Sequence, residues 1–145
     1  MYEGILVATD GSEGAREAIE EAVGLAELTG ATLHGVYVVD TRTYSALPES
    51  KWITLESELE NIGTNALEDV AEAAQEADVQ VVTSIERGVP HEAILEYVEA
   101  AGIDLIVAGT HGRSGVDRLL IGSVTEKLLR QANVPVHVVR VPNEG

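Results

Sequence analysis

The residues best placed to do chemistry are Gly109-Thr110-His111-Gly112 and, after nine intervening residues, Gly122-Ser123-Val124-Thr125-Glu126. Apolar residues 103–108 precede the first group and read as a buried parallel strand. Residues 123–131 follow with helical spacing, opened by a Ser-x-x-Glu capping box at Ser123 and Glu126. A strand therefore ends in glycine, a loop follows, and a Gly-Ser pair opens a helix. Backbone N–H groups released at a glycine turn and at a helix N-terminus both favour an anion. The local charge agrees: residues 109–130 carry Arg113, Arg118, Lys127 and Arg130 against Asp117 and Glu126, in a chain whose net charge is −16. The chemistry expected here is the binding of a phosphate.

Each feature has a plainer reading. Gly109 and Gly112 could serve only a tight turn with positive φ. Ser123 could be a simple N-cap, worth about 0.5–2 kcal/mol to its helix. The arginines could be solvated charges. Three anion-friendly features within one strand-loop-helix unit outweigh these separate readings. The site is neither a P-loop nor a dinucleotide fingerprint, because neither glycine pattern occurs. His111 could donate to a phosphate, while His34, His91 and His137 have no ligand spacing and no Cys to help them, so no metal site is expected. A triad of Ser123, His111 and Asp10 lacks the nucleophile elbow that would support it.

The elements that must position these groups alternate. Residues 5–9 read as a first strand, and Ser12 as the cap of a helix ending near Gly30. On that helix Ala15, Ile19, Ala22, Val23 and Ala26 share one face. Residues 31–39 form a second strand, and residues 40–54 a long mobile connection without periodicity. A helical series runs through Leu59, Ile62, Leu67, Val70, Ala74 and Ala77. Residues 79–85 make a third strand, Pro90 opens a helix ending at Gly102, residues 103–108 form the fourth strand, and Pro135 to Val141 the fifth.

Such alternation specifies a doubly wound α/β fold, a five-stranded parallel sheet of order 3-2-1-4-5 or its flavodoxin-like relative, with helices on both faces. In the first order, strands one and four meet where the winding reverses, and ligands bind beyond the strand ends at that switch. Asp10 thus arrives beside the glycine motif. It could cap the following helix through the macrodipole, or contact a ribose, a base or a metal-bound phosphate. Val38, ending strand two, could offer backbone groups to a base, although its side chain is most simply core. Strand five should lie at a sheet edge, rich in Val and blunted only by Pro135 and Arg140. Such an edge invites a second copy.

At 145 residues the chain suits a single domain, spanning 1–145, that buries roughly 70% of its unfolded surface. It has no Cys and no Phe, so Val, Ile, Leu and Ala build the core. No apolar run approaches a membrane span, and no basic leader precedes the first strand. The cytoplasm is the expected location. A net charge of −16 argues against nucleic acid or an anionic membrane as partner. Carboxylates spread over helix faces suit a cytoplasm of very high salt, where repulsion is screened within about 3 Å at 1 M, and so point to a halophilic archaeon.

The Gly109-x-x-Gly112-(nine residues)-Gly122-Ser123 pattern resembles the ATP-binding signature of the universal stress protein family. Residues 5–12, 122–130 and 134–140 resemble the family as well, and the likeness weakens only over residues 41–60. It implies an ATP site in which Ala8, Thr9 and Asp10 lie near adenine and ribose and Val38 meets adenine through its backbone. Ala108, Gly109, His111, Gly112 and Arg113 would wrap ribose and phosphates. Gly122, Ser123, Val124 and Thr125 would present N–H and hydroxyl groups to the phosphates. The resemblance further implies ATP, with magnesium as an optional companion, a homodimer through the last strand, and an ATP-responsive regulator of stress endurance with little or no hydrolysis. It supplies no catalytic residue. A slow ATPase or nucleotide hydrolase in the same pocket is the competing reading. A phosphate-accepting receiver domain is set aside, because strand three ends Ile85-Glu86-Arg87 and strand five has no Lys.

Overall fold

The computed structural model describes residues 2–110 and 122–141. Two strands form the centre of the fold, β1 (Gly4–Ala8) and β4 (Leu105–Gly109), each buried along nearly its whole length. Both are continuous runs of apolar residues, as strands covered on both faces must be. Strands β2 (Thr32–Asp40), β3 (Val81–Gly88) and β5 (Val136–Val139) complete a parallel sheet of order β3-β2-β1-β4-β5, as the sequence predicts. Successive residues of β1 point to opposite faces. Ile5 and Val7 join Ile19 of α1 (Gly14–Thr29) and Val70 of α3 (Trp52–Glu76) in one core. Leu6 joins Ile94 of α4 (Pro90–Ala101) and Leu128 of α5 (Ser123–Gln131) in the other.

The C-terminal ends of α1 and α4 follow their sequence signals, but Ser12 is not the N-cap of α1, a position that Glu13 holds without a side-chain cap. The Ser12 hydroxyl accepts the Ala15 N–H at 3.3 Å, in the turn that leads into α1. Gly30 and Gly102 close α1 and α4 with φ of 78° and 67°, values only glycine adopts freely. Asp104 ties two strand starts together: its Oδ2 accepts the N–H groups of Glu3 and Gly4 at 2.8 and 3.1 Å. Those two bonds hold its carboxyl below the usual range.

Residues 40–54 correct the sequence reading. A long mobile connection is expected there, but the chain forms α2 (Arg42–Ser45), a short 3-10 helix (Glu49–Lys51) and the first turn of α3. The segment is held by two aromatic residues too far apart to create a period. Tyr44 is buried and meets Trp52 edge-to-face, with ring centroids 6.1 Å apart. The Trp52 indole also donates to the Leu47 carbonyl at 2.8 Å. The strand limits shift too: β3 extends to Gly88 and β5 stops at Val139.

Candidate functional site

Register brings the two halves of the motif together. Val7 of β1 lies opposite Val107 of β4, so both strands deliver their next residues to the same sheet edge. A cavity of about 570 Å³ opens there, within the range that accommodates a small organic ligand. Ala8 lines it from β1 and Thr9 and Asp10 from just beyond, Val38 from β2, Ala108 and Gly109 from β4, and Gly122, Ser123, Val124 and Thr125 from the start of α5. All ten are residues that the sequence nominates. His111, Gly112 and Arg113, nominated with them, lie outside the described residues, as does Arg118.

The start of α5 differs in detail from expectation. Gly122, with φ −58° and ψ 149°, is the N-cap, and Ser123 is already the first helical residue. No side chain caps the helix, so the expected Ser123–Glu126 box does not form. Glu126 instead pairs with Arg130 one turn on, at 3.2 Å. The first intrahelical bond runs from the Glu126 N–H to the Gly122 carbonyl at 2.9 Å. The N–H groups of Ser123, Val124 and Thr125 therefore precede the helical ladder and have no acceptor within it. The Gly122 N–H donates to the Thr110 carbonyl, and the Thr125 hydroxyl donates to the Gly109 carbonyl at 2.7 Å. Neither proton is directed at a ligand. Gly109 is an extended strand residue opposite Val139, so the positive-φ turn does not arise at that position.

At the end of β1 the backbone folds on itself. The Thr9 N–H still reaches the Val36 carbonyl at 3.0 Å, continuing the β1–β2 ladder. Its Oγ1 accepts the Gly11 N–H at 3.2 Å, and Asp10 Oδ1 accepts the Ser12 N–H at 3.0 Å. These short side-chain bonds stabilise the turn and fix Asp10 at the cavity wall.

Asp40 and Thr43, also in the wall, escape the sequence reading. Arg42 grips Asp40 through Nε and Nη2 at 2.9 and 2.8 Å, and its N–H reaches the same carboxylate at 3.0 Å. The Arg42 side chain holds the Asp40 carboxyl below its ordinary range, and Asp40 in turn raises Arg42. An Asp followed two residues later by a donor N–H after a strand is a turn signature, so Asp40-Thr41-Arg42 carried the signal. A second cavity of about 360 Å³ lies between α1 and α3 and shares Thr9 and Ser12 with the first. Glu13, Glu20, Asp69, Glu72 and Glu76 line it against Arg16 alone, a charge balance that repels an anion. The described lining of the 570 Å³ cavity holds two carboxylates, Asp10 and Asp40, and takes in the start of α5 at Ser123, Val124 and Thr125. Among the described residues no cluster of three or more His, Cys, Asp or Glu could hold a metal. No helix among the described residues is long and apolar enough to cross a membrane.

Known proteins match this chain along almost its whole length. The model of the universal stress protein family matches residues 1–140. A universal stress protein of Methanocaldococcus jannaschii is 37% identical over 145 residues, covering 99% of this chain and 85% of its own. A second protein of that organism, also named a universal stress protein, has a solved structure that superimposes with a TM-score of 0.88 at 31% identity, covering 99% of each chain. More distant structures of the same fold, 17 to 22% identical, were solved with cAMP, with dAMP (from Archaeoglobus fulgidus) and with AMP (from Arabidopsis thaliana).

Proposed function

The chain belongs to the universal stress protein family, and from that premise we propose that it binds ATP in the 570 Å³ cavity and acts as a nucleotide-responsive regulator of stress endurance. The observation that carries this reading is the meeting of two features at one sheet edge. Small residues, Ala8 and Ala108, leave room between the strand ends. The amides of Ser123, Val124 and Thr125 offer the positive end of a helix to phosphate. Adenine would lie against the Val38 backbone and ribose near Thr9 and Asp10. Gly109, His111, Gly112 and Arg113 would enclose the phosphates together with Gly122. The three distant neighbours solved with adenine nucleotides support the ligand class. Magnesium would be held mainly by the phosphates themselves, as that ion commonly is.

The reading is one of binding rather than turnover. The two wall carboxylates hold local structure, Asp10 in its turn and Asp40 on Arg42, and neither is offered as a base. We place the protein in the cytoplasm and expect it to pair with a second copy through β5. The test is to purify the protein in molar KCl, denature it and identify the nucleotide released. ATP or another adenine nucleotide at near-equal stoichiometry is expected. Calorimetry on Gly122→Val should then show binding lost with the fold retained. The Gly122 backbone, at φ −58°, tolerates a side chain, so the loss would come from obstruction and not from strain. Unchanged ATP affinity in that variant, or no binding by the wild type, overturns the assignment.

A further inference from the structure

Resting on the ATP reading of this cavity, we propose that Thr110 and Thr125 are positioning residues. They clasp the start of α5 to the sheet and, through Thr110, join the site to the end of the edge strand β5. Thr110 makes three bonds to two other parts of the chain. Its N–H donates to the Val139 carbonyl at 2.9 Å, its carbonyl accepts the Gly122 N–H, and its Oγ1 accepts the Val141 N–H at 3.0 Å. Thr125 answers from the helix side, donating its hydroxyl proton to the Gly109 carbonyl at 2.7 Å.

Thr125 is 6% exposed and has committed its only proton. What its oxygen could still turn toward a phosphate is lone pairs, which repel the phosphate oxygens. Its hydroxyl therefore acts on the ligand through the helix it holds. The Ser123, Val124 and Thr125 amides bind an anion only while they point at it, because hydrogen bonds weaken steeply off axis. A clasp that fixes their direction also shares strain with whatever it is fastened to. Here that is Val139, the last residue of β5, and Val141 two residues beyond it. Linkage is reciprocal, so a nucleotide that draws on the α5 amides must tighten the β5 end.

The test compares Thr110→Val and Thr125→Val, which keep the shape and remove the hydroxyl, with Thr110→Ser and Thr125→Ser, which keep it. One hydrogen bond of ordinary strength predicts about fivefold weaker ATP binding in each Val variant and little change in each Ser variant. Hydrogen exchange on the ligand-free protein separates positioning from direct contact. The Val141 amide should exchange faster in Thr110→Val, and the Gly122 and Glu126 amides faster in both Val variants. Wild-type ATP affinity in the Val variants overturns the proposal. So does weakened binding with unchanged ligand-free exchange, since the threonines would then touch the ligand itself. Exchange in the unmodified protein is a check that needs no variant: ATP should slow the Val141 amide, and no change there overturns the coupling. If the wild type binds no ATP, the nucleotide reading falls first and this proposal falls with it.

Discussion

A single methyl group measures how closely α3 approaches the sheet. A Cβ added at Gly63 would sit 2.5 Å from Cδ1 and 2.9 Å from Cε1 of Tyr37, and the Tyr37 side chain is buried. Alanine gains about 1 kcal/mol over glycine in a helix, whereas overpacking a core costs about 1–3 kcal/mol. Overpacking wins, so Gly63→Ala should destabilise the fold by about 1 kcal/mol. Gly24, in the middle of α1, has nothing within 4 Å of its added Cβ. Gly24→Ala should stabilise by about 0.5–1 kcal/mol. Denaturant midpoints decide both, and a more stable Gly63→Ala would mean that α3 lifts off the sheet at little cost. In the sequence the two glycines look alike, since each interrupts a helical pattern and only the packing partner differs. The site residues were more legible. Asp10 and the Gly109 and Gly122 positions carry local signals of strand end and helix start. Asp40 and Thr43 reach the same cavity from a segment whose course depends on Tyr44 meeting Trp52.

At the scale of elements, β5 is the informative piece. It lies at the sheet edge beside β4 alone. The carbonyls of Pro135 and Val139 accept N–H groups from Ile106 and Thr110, so odd positions of this stretch face β4. Even positions, Val138 among them, turn their backbone outward. Val138→Pro therefore removes an outward donor and leaves the β4 ladder untouched, a place where edge strands accept proline. The variant should remain folded. If β5 pairs with a second copy, light scattering in high salt should find the wild type dimeric and this variant monomeric. A wild-type monomer at micromolar concentration rules the interface out. The edge position was legible from the order of elements, because the last strand follows the last helix. The limits of β3 and β5 were not: the β2 ladder carries β3 past its hydrophobic run through Glu86 and Arg87 to Gly88, while in β5 the partners on β4 end at Val139 although Val141 is still apolar.

Over the whole molecule, charge decides the working conditions. A net charge of −16 on 145 residues opposes compaction through self-repulsion. Salt at about 1 M shortens its reach to roughly 3 Å. The melting temperature should climb steeply between about 0.1 and 2 M KCl, and a flat profile would mark an ordinary acidic protein. The whole also depends on one narrow closure. The chain leaves the sheet at Thr110 and returns at Gly122, and these two residues are bonded directly to each other. That bond joins the end of β4 to the start of α5 directly, so strand and helix present their groups to the cavity from one shared anchor.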